Sequence, residues 1–156
     1  MRQQGEEKPT RQQDKGENMS AKDFFKDIRK SSTELKSLEE ESERLFTMIT
    51  STTIKPKEVD VQTSSTGDKM AEIISKMLEL DDKITEQKRV IVEKQLKAEG
   101  IITKIDNAKY RAVLRWYYVQ NLKWREVSDR MNYDMAYVQR LNGEALAAAD
   151  KIMKRN

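Results

Sequence analysis

A polar face on a helix predicted near the C-terminus carries residue types that can bind the edges of base pairs. If Val138 faces inward and successive residues turn by about 100°, Gln139 and Arg140 project outward. A Gln side chain can bind adenine through a pair of hydrogen bonds, and an Arg side chain can bind guanine in the same way. The predicted base-contacting residues are Ala136, Tyr137, Gln139, Arg140 and Gly143.

Small residues on this face would let the helix axis approach DNA closely. Ala136, Gly143 and Ala147 form such a row. Glycine inside a helix costs about 1 kcal/mol relative to alanine, so Gly143 indicates a need for close approach. A tolerated loose position is the alternative interpretation of Gly143, and packing is the alternative role for Tyr137.

Basic side chains near this helix are candidates to hold phosphate groups. Residues 101–156 contain eleven basic and six acidic side chains, which gives this segment a charge of +5 in a chain whose net charge is +3. A positive surface attracts phosphates whatever the base sequence. The predicted phosphate contacts are Lys109, Arg111, Arg115, Lys123, Arg125 and Arg130. A solvated surface charge is the alternative for each of them.

Three short helices must position these residues. They are predicted over 108–119, 124–131 and 135–149, with an inward face of apolar and small side chains on each. Together they form a small three-helix domain over 101–156. The helix over 135–149 is the predicted recognition helix, which would lie in the major groove of double-stranded DNA.

The link between the last two helices has the composition of a tight turn. Asn132 tolerates the left-handed conformation that a sharp helix exit needs, and Asp134 can cap the following helix. Asp106 and Asn107 offer a similar cap for the helix that begins near 108. A three-residue turn between helices is typical of a helix-turn-helix unit.

Two long amphipathic helices are predicted upstream, over 22–52 and from Met70 to Ala98. In both, apolar residues recur at alternating spacings of four and three residues, which is typical of a coiled coil. Each helix is about 45 Å long and would be unstable in water without a partner. The sequence leaves open whether the helices pair in parallel or antiparallel, and within one chain or between two.

The remaining segments define the predicted boundaries. Residues 1–21 are polar, so a disordered extension is expected there, with natural translation starting at Met19. Residues 53–68 have the composition of a linker, with Asp68 as the N-cap of the second long helix. Gly100 is expected to interrupt that helix, which places a boundary between the region 22–100 and the C-terminal domain.

Composition favours an all-α protein and argues against most catalytic chemistry. Glycine and proline are few, whereas charged residues make up 37% of the chain. There is no Cys for a disulfide or thiolate metal site and no His for proton transfer near neutral pH. No catalytic residue, metal site or cofactor is predicted. The chain also lacks an apolar run of roughly 18 residues, so a protein of the cytoplasm without a membrane span is expected.

The stretch VLRWYYVQNLKWREVSDRMNYDMAYVQRLNGEAL resembles the promoter-reading C-terminal domain of bacterial sigma factors. It is more closely similar to sigma-factor-like transcription regulators encoded by phages and prophages. This similarity extends to the first long helix and to DVQTSSTGDKM, from Asp60 to Met70, and covers residues 19–156. It implies DNA binding that activates late phage genes in a bacterial host, with RNA polymerase as a further candidate partner.

The resemblance also implies individual roles. Recognition-helix positions are matched by Tyr137, Gln139 and Arg140, and packing positions by Val138, Leu141 and Leu146. Asn121 and Lys123 replace the Gly and Ser often found before the second helix, which weakens its cap. Glu144 stands where a basic residue is common, which argues against a phosphate contact there.

The leading hypothesis is a sequence-specific DNA-binding regulator that forms a homo-oligomer, with a dimer as the first expectation. One alternative is a protein similar to the small subunit of a phage terminase, which marks DNA for packaging and would form ring-like oligomers. Another is a structural coiled-coil adaptor whose C-terminal helices only pack. Strong, sequence-selective binding that salt weakens steeply would exclude the adaptor.

Overall fold

In the computed structural model, a hairpin of two long helices is followed by three shorter ones. The structure describes residues 19–54 and 64–155, and all regular structure in these ranges is helical, which confirms the predicted all-α class. The helices are α1 (Ala21–Ile54), α2 (Ser64–Ile102), α3 (Ala108–Leu114), α4 (Trp124–Met131) and α5 (Met135–Arg155). None of these described helices is long and apolar enough to cross a membrane.

The helices α1 and α2 pack against each other as an antiparallel hairpin within one chain. Ion pairs join Glu39 to Lys88 (3.1 Å) and Asp27 to Lys94 (2.7 Å), so residue numbers rise along α2 as they fall along α1. The apolar residues that recur at spacings of four and three form one stripe on each helix, and all of them are buried or half-buried. They are Phe24, Ile28, Leu35, Leu38, Leu45 and Ile49 on α1, and Met70, Ile73, Met77, Leu80, Ile84, Ile91 and Ala98 on α2. The contact between the stripes removes from water the apolar surface that neither helix could keep exposed.

Polar positions within the two stripes meet and help to fix the register of the hairpin. Ser31 of α1 is only 5% exposed, although serine is a polar residue. Its hydroxyl accepts a hydrogen bond from Lys94 Nζ (3.0 Å), and its carbonyl oxygen accepts one from the Gln87 amide (3.5 Å). A shift of either helix would leave these partly buried polar groups without partners, which is unfavourable.

Two predicted helix limits in α2 are wrong. The helix begins at Ser64, so Asp68 lies inside it and is not the N-cap. Gly100 does not interrupt the helix, which continues to Ile102 because that side chain is fully buried in the core. Of the extension predicted over 1–21, residues 1–18 lie outside the described residues, as do linker residues 55–63. Its last residue, Ala21, is not part of an extension, because it begins α1 and is buried in the core.

The larger hydrophobic core joins the hairpin to the C-terminal helices. Phe25 and Ile28 of α1 and Ile102 of α2 have no exposed surface, and they share this core with Tyr118 and Leu146. The core therefore lies on both sides of the boundary predicted near residue 100. The domain limits stay a prediction, but residues from the hairpin and from the C-terminal helices pack together in this core.

The first residues of α1 are fixed by hydrogen bonds to both local and distant partners. Ser20 Oγ accepts the Asp23 N–H (3.2 Å) and donates to the Asp23 carboxylate (2.9 Å). The Ala21 N–H donates to Asp150 of α5 (3.0 Å). Hydrogen bonds from Lys154 and from this N–H lower the pKa of Asp150. The start of α1 is thus attached to the last helix of the chain.

We expect Phe25→Ala to lower the free energy of unfolding by about 3 to 5 kcal/mol, because it leaves a cavity in the core that joins the hairpin to α3 and α5. The Phe25 ring is fully buried and lies 5.5 Å from the Tyr118 ring. Phe46→Ala is the matched control, since Phe46 is 57% exposed, and should change stability by about 0.5 kcal/mol. Denaturant unfolding followed by circular dichroism measures both, and equal losses would contradict the assignment of Phe25 to the core.

Candidate nucleic-acid interface

The exit from α4 has the geometry predicted from its sequence. Asn132 adopts the left-handed conformation, with φ 57° and ψ 42°. The Ser128 hydroxyl donates to the Tyr133 carbonyl oxygen (2.5 Å), and the Tyr133 N–H donates to the Ser128 carbonyl oxygen (3.3 Å). These bonds satisfy backbone groups that the end of α4 leaves unpaired and fix the direction of the chain.

The start of α5 is capped as predicted. The Asp134 carboxylate accepts the Tyr137 N–H (2.8 Å), which satisfies one of the free N–H groups in the first turn. Its negative charge also interacts favourably with the positive end of the helix dipole. Together with the left-handed Asn132, this cap limits the link between α4 and α5 to three residues, so the two helices are held in a fixed relation.

The helix α5 has a buried face and an exposed face. The buried residues of α5 are Val138, Leu141, Ala145, Leu146 and Ala149. Ala136, Gln139, Arg140 and Gly143 are all exposed, and Tyr137 is half-buried at the edge of this face. The five predicted base-contacting residues therefore occur together, and neither α1 nor α2 covers the exposed four.

Tyr137 belongs to a cluster of aromatic and basic side chains at the start of α5. Its ring lies 4.8 Å from the Tyr133 ring, and the Arg140 guanidinium lies 5.2 Å from the Tyr137 ring centre. Lys109 lies 4.9 Å from the Tyr133 ring centre. Hydrogen bonding to Tyr133, with a further contribution from Tyr137, raises the pKa of Lys109. At this end of the exposed face, Lys109 therefore lies beside the Tyr133 ring and Arg140 beside the Tyr137 ring.

The structure leaves four of the predicted phosphate contacts on the surface. Lys109, Lys123, Arg125 and Arg130 are exposed, and the Arg130 guanidinium lies 5.9 Å from the Trp116 ring centre. Lys109 is held at the start of α3, where Asn107 accepts its N–H (2.9 Å) as the predicted cap. These four cations come from α3, from α4 and from the residue that precedes α4.

The start of α4 is capped by Glu126, for which no sequence pattern predicted this role. The Glu126 carboxylate accepts the Lys123 N–H (2.7 Å), which partly compensates for the absence of a Ser or Gly cap. Glu126 also places a negative charge in the first turn of α4, where the helix dipole stabilises it. This cap therefore fixes the first turn of α4, where Lys123 and Arg125 lie.

Arg111 and Arg115, which were also predicted as phosphate contacts, are half-buried and have partners within the protein. Arg111 donates to the carbonyl oxygens of Ile105 (2.6 Å) and Asp106 (2.7 Å). Arg115 binds both carboxylate oxygens of Glu99 through its guanidinium, and this ion pair raises the pKa of Arg115. Arg111 thus holds α3 to the segment that follows α2, and Arg115 holds the π-helical turn to α2 itself.

Arg29 of α1 holds the segment that precedes α4, and no sequence pattern indicated this role. Its guanidinium donates to the carbonyl oxygens of Tyr117 (2.5 Å) and Leu122 (2.7 Å). It also lies 3.9 Å from the Tyr117 ring centre, and that ring stacks on Trp124 at 3.6 Å. Arg29 thus connects α1 to the turn before α4, 88 to 93 residues away in sequence.

The segment before α4 is shaped by an unusual helix end. Residues Arg115–Val119 form a π-helical turn, in which the Gln120 N–H bonds to the Arg115 carbonyl oxygen (2.8 Å). Asn121 then adopts a positive φ of 57°. Asparagine tolerates this left-handed conformation, so Asn121 reverses the chain without glycine. Asn121, which stands where similar regulators often have Gly, therefore supplies the positive φ that the turn needs.

Glu144 interacts with the protein rather than standing alone on the exposed face. Its carboxylate accepts a hydrogen bond from the Tyr110 hydroxyl (2.8 Å), which raises the pKa of Tyr110 because it stabilises the protonated phenol. Glu144 directly follows Gly143 and precedes Ala147, so it places a negative charge beside the exposed row on α5.

We expect Glu144→Ala to lower the pKa of Tyr110 toward the ordinary value for tyrosine, because the phenol loses its carboxylate acceptor. Labelling the tyrosine rings with ¹³C and following the Tyr110 signal against pH by NMR measures this change. Asp129→Ala is the control, since it removes an exposed carboxylate from α4 that does not contact Tyr110. A Tyr110 pKa that is the same in wild type and Glu144→Ala would contradict the contact.

Comparison with known proteins places the chain in a family. Neither the curated proteins nor the solved structures compared with the chain give a match. One protein-family model, described as a protein of unknown function (DUF1492), matches residues 48–150. The matched range begins near the end of α1, includes α2, α3 and α4, and reaches most of α5. Because it covers more than half of the sequence, the chain belongs to the DUF1492 family.

Proposed function

We propose that this protein is a sequence-specific, double-stranded DNA-binding transcription regulator in which α4 and α5 act as a helix-turn-helix unit. The observation that carries the proposal is the exposed face of α5, where Gln139, Arg140 and Gly143 lie opposite a fully packed inner face. The capped three-residue turn after α4 supports it further, because it fixes the angle at which α5 would enter a groove.

In the proposed complex, the first half of α5 lies in the major groove. Arg140 is placed to bind guanine and Gln139 to bind adenine, each through a pair of hydrogen bonds. Ala136 and Gly143 bring little bulk between the helix axis and the base pairs. Tyr137 contributes at the edge, where its ring orients the Arg140 guanidinium.

Phosphate groups would be held by cations on both sides of α5. Lys123 and Arg125 meet the backbone from the start of α4, and Lys109 and Arg130 meet it from the flanks. Each such contact releases counterions from DNA, so binding should weaken steeply as salt is added. The proposal does not use Arg111 and Arg115, because their guanidinium groups are bonded within the protein.

The biological role follows from the sequence resemblance to phage sigma-factor-like regulators. We propose that the protein acts on late phage genes in the cytoplasm of a bacterial host. A regulator related to the promoter-reading part of sigma factors would bind near RNA polymerase, which makes the polymerase a candidate partner. Coiled-coil packing of α1 and α2 would then hold the DNA-binding helices at a set place in the assembly.

Arg140→Ala should weaken binding by about 1 to 3 kcal/mol to DNA from just upstream of the protein's own gene cluster, and should relax the sequence preference. Fluorescence anisotropy with the specific duplex and a scrambled duplex measures both effects. Arg44→Ala is the matched control, because Arg44 pairs with Glu41 on the hairpin, away from α5. Wild-type protein that binds both duplexes equally would contradict the proposed function, and an unchanged Arg140→Ala would remove Arg140 from base contact.

Gly143→Ala should make the free protein more stable by about 1 kcal/mol and yet weaken its binding to the specific duplex. A Cβ atom at this position meets open space in the free protein, so only a ligand can oppose it. Gly100→Ala is the control, since Gly100 is also exposed, helical and without a neighbour within 4 Å. It should stabilise the protein and leave DNA binding unchanged. Equal DNA affinity for Gly143→Ala and wild type would exclude close approach at this position.

A further inference from the structure

A second row of apolar side chains runs along α2, beside the stripe that packs on α1. Its four members are Ile74, Leu78, Val92 and Leu96, which are 45%, 63%, 52% and 69% exposed. At about 100° per residue they lie on one side of the helix, roughly a third of a turn from the packed stripe. The row consists of two exposed apolar pairs, Ile74 with Leu78 and Val92 with Leu96, separated by exposed polar residues. Exposed apolar pairs aligned on one side of a helix in this way indicate an interaction surface.

The row is symmetric about Thr85. Ile74 and Leu96 are each eleven residues from Thr85, and Leu78 and Val92 are each seven residues from it. An unrelated partner would not require such symmetry. An antiparallel two-fold pairing of this helix does, because a residue at a given distance before the axis meets the residue at the same distance after it in the other copy.

The charged residues between the apolar ones follow the same symmetry with opposite sign. Asp81 and Asp82 precede Thr85 by four and three residues, and Lys88 and Arg89 follow it by three and four. All four side chains are exposed. The acidic pair Asp81 and Asp82 therefore comes opposite the basic pair Lys88 and Arg89 of a second copy that runs in the opposite direction.

We propose that this face of α2 binds a second copy of the chain, with the two α2 helices antiparallel about a two-fold axis at Thr85. Residues at equal distances on either side of Thr85 then come opposite each other. Ile74 and Leu78 of each copy pack near Val92 and Leu96 of the other copy. The acidic pair of each copy faces the basic pair of the other.

The charge pattern also selects the orientation. Parallel pairing in register would place Asp81 and Asp82 against the same residues of the other copy, and Lys88 and Arg89 likewise. Like charges in such positions repel, whereas the antiparallel arrangement brings each acidic pair beside a basic pair. Apolar contacts supply the stability of the pairing, and the charges determine its direction.

The charged groups have partners in the single chain, but those contacts can be exchanged. Arg89 binds Glu86 (2.8 Å) and Glu93 (2.6 Å) on its own helix, and Lys88 binds Glu39 on α1. All of these groups are exposed, and such pairs contribute little to stability in water. Pairing with a second copy would therefore compete with weak interactions only.

This interface does not depend on the proposed DNA binding. It lies on the hairpin, and the candidate base-contacting face lies on α5. Sedimentation velocity of the full chain without DNA is therefore the direct test. Wild-type protein should sediment as a dimer of the 18.3 kDa chain.

Two charge-reversed variants test the pairing directly. Asp81→Lys with Asp82→Lys makes the face entirely basic, and Lys88→Glu with Arg89→Glu makes it entirely acidic. Each variant alone should sediment as a monomer. An equimolar mixture of the two should form a mixed dimer, because each acidic group again faces a basic one.

A matched control keeps the charge change and moves it off the face. Glu34→Lys with Glu43→Lys adds the same charge to exposed positions on α1 and should leave the dimer intact. Helical content by circular dichroism establishes that each variant is folded. Leu78→Ala with Val92→Ala provides a second route and should also give a monomer. A monomeric wild type, or folded charge-reversed variants that remain dimers alone, would overturn the proposal, as would a mixture that fails to associate.

Discussion

The packing of the first half of α1 against both the end of α2 and the C-terminal helices is the contact on which the rest of the structure depends. Phe25 and Ile28 are fully buried in one core with Ile102 and Tyr118, so the hairpin shares this core with α3 and α5. A core of this kind contributes most of the favourable free energy of folding. The inner face of α5 packs on it through Ala145, Leu146 and Ala149 and on a second core, shared with α3 and α4, through Val138 and Leu141, which leaves the opposite face of α5 exposed.

The positive charge of the C-terminal segment serves two separate purposes. One group of cations, with Arg111 and Arg115, is bonded to carbonyl oxygens and to Glu99 and holds the helices together. The other group remains on the surface around the start of α5, where Lys109 and Arg140 lie beside tyrosine rings. The net charge of residues 101–156 therefore overestimates their local positive charge, because Arg115 pairs with Glu99, which lies outside that segment.

The hairpin and α5 have complementary roles in the assembly that we propose. A two-fold contact along α2 would give each particle two copies of α5, and the shared core would fix each α5 relative to its own α2. Two recognition helices related by a two-fold axis match the symmetry of DNA sites made of paired half-sites. Ser31, Gln87 and Lys94 help to keep the two long helices in register, which maintains this geometry along the hairpin.

The sequence alone determined the limits of α4, the turn at Asn132 and the caps at Asn107 and Asp134, because these depend on residues a few positions apart. It also placed Gln139 and Arg140 on one face, since helical periodicity is local. Only the tertiary structure decided that the hairpin is antiparallel, that Gly100 stays helical, and that Arg111 and Arg115 bind groups within the protein. The role of Arg29 also emerged only there. These outcomes depend on partners distant in the chain, and neither propensity nor periodicity specifies which of several cations a distant carbonyl oxygen or carboxylate will bind.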